Sequence, residues 1–501
     1  MPNRLNASVL SSMIGIAVVT AISVAYTGMP LWIDELHTSW SIFGDWGSVA
    51  ERASAGNQSP FYFYLLKAFV GIFGHSETTL RLFSVGCSCG AVLLLSWLCQ
   101  RHKLPFWAAA ITTLTFAAGH LQLLFAVEAR SYSLLTLLVL CLFCVQTLRN
   151  NRIDQNFPWK LEGLWLFIAA LCVYTHYIAI PAVASLAISV LFISEHEFKM
   201  RRNLCIVRLC GLGLIACTQF STLQNIYHHR NQWAIFIHAE KATVDSLLTT
   251  LPVLSTILLP GLFCLVKQVR KTEHQAIVRS ALVLAILPLG MAWLTTRLDW
   301  LNWFYPRYLV ASLPALSIFC GFSLHALWRQ AKLPESVMIL LTLLHLIAFF
   351  SFDSDVISKT TNQQVTLKQE RWDLVVQTLN STATAPGTVL LTGGLVEDRR
   401  LPLQADAPHT ANMTTSEYCG FPLKGMYALS ESLTIEPMNS SDDGFEQLLA
   451  RISELPEGWL IARGKRRNAA IQALLEQRLG ENGFQDHEIP GRVNLYFWSD
   501  K

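Results

Sequence analysis

Two adjacent carboxylates, Asp34 and Glu35, stand in the stretch MPLWIDELHTSW, directly after a long apolar run and among Trp32, His37 and Trp40. A charged side chain at a bilayer centre costs roughly 2.5–3.5 kcal/mol on insertion scales. A pair of acids therefore belongs at the membrane edge or in a wet cavity. There a carboxylate can take a proton from a hydroxyl or order it as a nucleophile. Four further stretches set isolated polar groups among aromatics: FAVEARSY with Glu128 and Arg130, YTHY with His176 and Tyr177, YHHRNQWAIFIHAEK with His228, His229 and His238, and TTRLDWLNWFYPRY with Arg307. Arginine holds phosphate bidentately and stays charged at any relevant pH, and aromatics stack on sugars and anchor at interfaces. Together these residues suit transfer of a group from a lipid-linked phosphate to a hydroxyl. The tail partitions into the bilayer, the phosphate lies at headgroup depth, and the acceptor arrives from water. The departing phosphate needs charge stabilisation from arginine or from a divalent metal. The residues alone leave both open, and no cofactor is implied with certainty. Arg81, at the outer start of an apolar run, either snorkels or joins Arg130 and Arg307 at the phosphate. The histidine cluster lacks neighbouring carboxylates to complete a hard-metal site and reads as an outer loop.

The elements that must position these groups are helices in a membrane. The chain has 501 residues, 52% hydrophobic and only 15% charged, against about 25% charged in soluble domains. Its mean hydropathy is +0.37. The net charge of +3 gives no case for nucleic-acid binding. Of the 12 cysteines, all but Cys419 lie in or beside apolar runs, where Cys acts as a small hydrophobe, so no disulfide framework and no zinc spacing is implied. Apolar segments near 8–28, 79–98, 105–123, 132–148, 161–174, 178–194, 204–222, 246–266, 279–295, 308–328 and 333–352 predict about eleven spans. The run PFYFYLLKAFVGIFG is too short and carries Lys67, which predicts an interfacial helix. Residues 161–192 as one helix would run roughly 48 Å, too long for a ~30 Å core, so the chain is expected to turn near His176. That division also puts the basic joints (Arg101 and Lys103; Arg149, Arg152 and Lys160; Lys199, Arg201 and Arg202; Lys267, Arg270 and Lys271; Arg329 and Lys332) on one side with Arg4. The positive-inside rule makes that side cytoplasmic. The aromatic, chemistry-bearing joints then share the outer face of a multi-pass plasma (inner) membrane protein. Residues 354–501 are polar and mixed. An amphipathic helix near 363–380, a buried strand GTVLLTG, a helix RNAAIQALLEQRLGENG ended by Gly483 and a last strand VNLYFWS predict a small α/β domain, which an odd span count places outside the cell. Gly393-Gly394 reads as an ordinary strand-to-loop turn. Asn380, Asn412 and Asn439 match the glycan-acceptor pattern, which arises often by chance.

Residues 29–150 resemble the C-type membrane glycosyltransferases (GT-C), and within them the bacterial relatives of protein O-mannosyltransferases and aminoarabinose transferases. WIDELHT, SPFYFYLLKAFVGIFGHSETTLRLFS and FAVEARSYSLL carry the resemblance, and YTHYIAI and YPRYLVASLPAL extend it to about residue 320. It implies a GT-C-like transmembrane domain over 1–353 and an outer domain over 354–501. It implies an inverting transfer from a polyprenyl-phosphate sugar to a hydroxyl of a glycan, lipid or protein of the cell envelope. It makes Asp34 the catalytic acid with Glu35 as neighbour, and puts Glu128, His176, Tyr177 and Tyr62 around the substrate. Relatives commonly carry a His- or Lys-Pro-Pro step before the aromatic run; here it is Asn57-Gln58-Ser59-Pro60. The rival classes are a transporter or flippase for a lipid-linked sugar and a non-catalytic envelope scaffold. A transporter would more often show internal repeats and midplane charges, and no convincing repeat is present. A scaffold would tolerate loss of Asp34.

Overall fold

A computed structural model describes residues 4–150, 159–192, 198–228, 242–250, 274–362, 369–383, 387–401, 403–410, 412–441, 444–480, 483–487 and 489–499. The chain divides into two compact units. One comprises Met1–Thr27 with Arg81–Ser358, and the other Gly28–Leu80 with Lys359–Lys501. The stretch that bears Asp34 thus belongs to one unit with the C-terminal segment.

The first unit is helical. Helix α1 (Arg4–Tyr26) precedes the excursion 28–80, whose helices are α2 (Ile33–Ile42), α3 (Ser48–Ala55) and α4 (Phe61–Phe73). The bundle resumes with α5 (Glu77–Arg101), α6 (Phe106–Ala117), α7 (His120–Ala126), α8 (Tyr132–Asn150), α9 (Trp159–Thr175), α10 (Ala179–Ser189) and α11 (Phe198–Cys217). Helices Gln275–Arg297, Leu313–Ala331 and Glu335–Asn362 complete it. Among the described residues four helices are long and apolar enough to cross a membrane, or six if each of two bent pairs is one span. Large apolar side chains face outward from the bundle, among them Val24, Leu93, Phe167 and Leu214. Lipid tolerates such a surface and water does not. The expected count of about eleven is not reached among the described residues. Tyr132–Leu148, Ala179–Phe192 and Glu335–Ile347 are apolar but shorter, and most of the run 246–266 lies outside the described residues, as do His229, His238 and the basic joint 267–271. The turn expected near His176 is present. The chain breaks between α9 and α10, where the Ala179 amide donates to the His176 carbonyl at 3.0 Å.

Inside the bundle one polar network is complete. Arg208 on α11 grips Glu162 on α9 through Nε (2.8 Å) and Nη2 (3.0 Å), and its Nη1 donates to Gln146 Oε1 on α8 at 2.8 Å. Gln146 Nε2 in turn donates to Ser189 Oγ on α10 (2.8 Å) and Ser280 Oγ on Gln275–Arg297 (3.0 Å). Burying charge in an apolar bundle is tolerable only when each charge is paired and hydrogen-bonded, and here the pair is bidentate.

The second unit is α/β. Its five-stranded sheet has the order β4-β1-β5-β7-β6, from β1 (Gly387–Thr392), β4 (Leu433–Pro437), β5 (Glu457–Arg463), β6 (Phe484–His487) and β7 (Val493–Ser499). β1 lies parallel to both β4 and β5, while β7 runs antiparallel to β5 and to β6. Two short strands, β2 (Pro408–Thr410) and β3 (Met413–Thr414), pair separately. Helices Trp372–Thr382, Phe445–Glu454 and Lys465–Leu479 accompany the sheet. The last of these ends one glycine earlier than expected. Gly480 adopts φ 78°, a left-handed conformation that costs glycine nothing, so the helix stops there and not at Gly483.

Candidate active site

Helix α2 carries the acidic pair in its first turn, where the positive end of the helix dipole favours carboxylates. Ile33, Leu36, Trp40 and Ile42 are buried, as is every other residue of the helix except Asp34. Glu35 is buried with them, whereas Asp34 is half-buried and keeps access to solvent. The helix lacks a capping side chain of its own: Trp32 occupies the N-cap in an extended conformation and makes no side-chain cap bond. The Ile33 amide donates instead to Glu370 Oε2 at 2.9 Å. At the other end Lys67 Nζ donates to the Ile42 and Gly44 carbonyls, each at 2.6 Å. Lys67 therefore neutralises the carbonyl end of α2.

The middle of α2 is held by aromatics. The His37 ring lies 5.3 Å from Phe421, 5.7 Å from Trp40 and 6.1 Å from Tyr418 by centroid. Gly56 packs so closely on this ring that a Cβ there would collide with it. The Arg52 guanidinium sits 5.2 Å from the Trp40 ring centroid and donates to the Trp40 carbonyl at 2.9 Å. Glu51 accepts from Thr410 Oγ1 at 2.7 Å and from the Asn412 amide at 3.1 Å. These bonds, Thr410 foremost, lower its pKa from the ordinary glutamate value. Tyr62, expected near the substrate, is fully buried in α4 with its ring 5.2 Å from Phe63.

In the helical unit the other expected residues gather at two joints and a short turn. Ser84 on α5 donates to the Glu128 carbonyl at 2.6 Å and so pins the α7–α8 joint that presents Glu128 and Arg130. Both side chains are buried. Tyr132 stacks on His176 at 5.8 Å, and His176 lies 4.5 Å from Tyr177 and 6.5 Å from Tyr308. Arg307 lies over the rings of Tyr305 (5.1 Å) and Tyr308 (5.2 Å). Burial, then the Arg130 and Arg307 guanidiniums, push the His176 imidazole down to about 3. The two arginines therefore act on one neutral ring. That arrangement, two cations with an imidazole and three phenols, can hold a phosphate dianion. Arg81 donates through Nη1 to the Thr27 carbonyl at 3.0 Å and the Tyr26 carbonyl at 3.4 Å, capping the end of α1.

Arg130, His176, Tyr177 and Arg307 are thus brought together, with Glu128 on the same joint as Arg130. Asp34, Glu35 and Tyr62 belong to the other unit. Tyr132 and Tyr308 complete the aromatic wall and stand in the quoted motifs FAVEARSY and YPRY, although neither was singled out. Glu370 was missed entirely. Among the described residues, no group of three or more His, Cys, Asp or Glu is placed to hold a metal ion.

No family model matches the sequence, and a search of curated proteins finds no match. Solved structures do match. ArnT from Cupriavidus metallidurans in the apo state superposes with a TM-score of 0.55 at 13% identity, covering 97% of each chain. The same protein bound to undecaprenyl phosphate gives 0.53 at 12% identity, again over 97% of each chain. The arabinofuranosyltransferase AftD from Mycobacteria gives 0.52 at 12% identity, covering 99% of this chain and 40% of AftD. The resemblance read from the sequence therefore holds at the level of the fold, which this chain shares with ArnT and with the arabinofuranosyltransferase AftD.

Proposed function

We propose that this chain is an inverting glycosyltransferase that moves a sugar from a polyprenyl-phosphate donor to a hydroxyl of a glycan, lipid or protein at the outer face of the plasma membrane. The observation that carries the reading is the fold shared over 97% of both chains with ArnT, which has been solved with undecaprenyl phosphate bound. The arginine–tyrosine cluster supports it from within the chain, because it offers paired cations for a lipid phosphate. In the reaction the acceptor oxygen attacks the anomeric carbon, and the bond from that carbon to the phosphate oxygen breaks. The electron pair leaves with the phosphate, whose growing charge Arg130 and Arg307 stabilise. Asp34 takes the acceptor proton, with Glu35 as its neighbour. Arg81, whose Nη1 caps the end of α1, is the third arginine assigned to the donor phosphate. The basic joints put the N-terminus in the cytoplasm and the sheet unit outside.

Mass spectrometry of polyprenyl-phosphate sugars and envelope glycans, in cells with and without the gene, identifies the product that is lost. Asp34→Asn should lower its formation by about 10²–10⁴-fold, the usual contribution of a general base, while binding of undecaprenyl phosphate to the purified protein persists. Arg130→Ala or Arg307→Ala should weaken that binding instead. A folded Asp34→Asn protein that makes product at a near-normal rate would rule out the assignment.

A further inference from the structure

Helix α2 presents a problem that its own sequence does not solve. The first amides of a helix need acceptors, and Ser, Thr, Asp or Asn at the N-cap normally supplies one. The Trp32 side chain makes no cap bond, and its carbonyl takes the Glu35 and Leu36 amides, each at 2.9 Å. The acceptor comes from a residue 337 positions away: Glu370 Oε2 takes the Ile33 amide at 2.9 Å. The same oxygen accepts from Trp372 Nε1 at 2.9 Å, and the other, Oε1, from Arg463 Nε at 2.8 Å. The Glu370 side chain has no exposed surface. A buried carboxylate saturated by three donors has little freedom to move, and the residue it grips directly precedes Asp34.

The location in the sheet adds a second argument. From β1 the chain proceeds to β4 on one side, and from β4 to β5 on the other side of β1. In open α/β sheets such a divergence leaves a crevice at the carboxyl ends of the central strands, where a ligand commonly binds. Here Arg463 is the last residue of β5, and its Nη1 donates to the Gly393 carbonyl, just past β1, at 3.3 Å. Glu370 sits on that arginine. At the carboxyl ends of β1 and β5 the Arg463 guanidinium thus meets an internal carboxylate, which in turn holds the N-terminus of α2.

We propose that Glu370, held by Arg463, is the positioning residue for Asp34: the sheet unit acts as a cradle that caps α2 in trans and fixes the direction of the catalytic carboxylate. This inference rests on the reading of Asp34 as the base. Glu370 touches no reacting atom in this scheme. It fixes the backbone of the residue before Asp34, and an error of about 1 Å in such placement can cost on the order of a hundredfold in rate.

The test uses the full-length protein and the product identified by mass spectrometry as above. Glu370→Gln turns one acceptor into an NH2 group that faces amide, indole or guanidinium donors, so the grip on Ile33 loosens. Product formation should fall by between about tenfold and a hundredfold, with undecaprenyl phosphate binding unchanged within about twofold. Hydrogen exchange at the amides opening α2 should accelerate, while exchange in β1 and β5 should not. Glu436→Gln, which breaks the half-exposed Glu436–Arg451 pair on the same sheet, is the control and should leave the rate unchanged. If Glu370→Gln does not accumulate as folded protein, Arg463→Lys keeps the charge, loses the Nε contact, and is judged by the same criteria. A loss of product together with a matching loss of lipid-phosphate binding, or a rate within about twofold of the parent, overturns the inference while Asp34→Asn remains inactive. An active Asp34→Asn protein overturns the parent reading itself.

Discussion

Among the described residues, Glu162–Arg208 in the bundle and Glu370–Arg463 in the sheet unit are carboxylate–guanidinium pairs with a buried carboxylate, and the two are used differently. Glu162–Arg208 in the bundle is bidentate, and the Arg208 guanidinium also lies 4.3 Å from the Trp165 ring centroid. Its remaining bonds run to side chains, through Gln146 to Ser189 and Ser280, so five helices are tied by one network. Glu370–Arg463 in the sheet unit ends on backbone: one oxygen on the Ile33 amide and one guanidinium nitrogen on the Gly393 carbonyl. A pair bonded through Gln146 to side chains on neighbouring helices locks those helices together. A pair that reaches the Ile33 amide and the Gly393 carbonyl, with the Trp372 indole on the same carboxylate, anchors the N-terminus of α2 to the sheet. The chemistry is the same, and the choice of partners decides between a lock and an anchor.

The sharpest way to break this comparison is at Arg208. Arg208→Met leaves the Glu162 carboxylate buried without its guanidinium, which should cost about 3–5 kcal/mol. Folded protein in detergent should drop and its thermal midpoint fall, while the activity per folded molecule stays unchanged. The double replacement Glu162→Leu with Arg208→Met should recover much of the midpoint, because an apolar substitute for a buried pair is often neutral. If Arg208→Met kept its midpoint but lost turnover, the bundle pair would be acting on the site and the contrast with Glu370 would collapse.

The sequence made one side of the comparison legible and hid the other. Apolar runs of the right length announce α1, α5 and the helix Gln275–Arg297, and the alternation of basic and aromatic joints placed the break at His176. GTVLLTG and VNLYFWS read directly as β1 and β7 because strand periodicity is local. The motifs around Glu128, His176 and Arg307 were readable for the same reason, since each is a short string whose composition departs from its flanks. Glu370 had no such signal. It stands among ordinary charged neighbours in KQERWD, and its meaning comes only from a bond across most of the chain. The helicity of WIDELHT was hidden too, because the usual start signal is missing at Trp32. The division of residues 28–80 from the helices on either side follows from the same long-range docking, through Glu370, and through Tyr427, which accepts from the Leu31 amide at 3.2 Å and donates to Glu77 at 2.8 Å.

A smaller effect separates paired buried acids from Glu397, which burial pushes up to about 7 from 4.5. A raised carboxyl pKa means that the folded state holds a proton the unfolded state releases. Its favourable contribution is present below about pH 4.5 and is lost as pH rises to about 7, by no more than about 3 kcal/mol. Glutamine imitates the protonated form. Glu397→Gln should therefore match the parent midpoint near pH 4 and exceed it at pH 8, with the gap opening between those values in a series of melting curves. An equal midpoint at pH 8 would mean that Glu397 is charged there without penalty.

The smallest effect expected is at His176, where the sign reverses. Burial and the two arginines hold the imidazole neutral down to about pH 3, against an ordinary 6.5. The unfolded chain takes up this proton first, so the folded state loses stability as pH falls from 6.5 toward 3, by about 2 kcal/mol at pH 5. His176→Gln cannot take up a proton in either state. Its midpoint should fall less steeply than the parent's between pH 6.5 and 5, and the two slopes should agree above pH 7. The comparison is sharpened by repeating the series with undecaprenyl phosphate. A phosphate drawn to Arg130 and Arg307 offsets their charge, so the imidazole protonates more readily and the parent's acid loss shrinks, while His176→Gln shows no such change in slope. If the lipid phosphate leaves the parent's slope untouched although it binds, the arginines that press on His176 are not the ones that hold it, and the donor site lies elsewhere in the bundle.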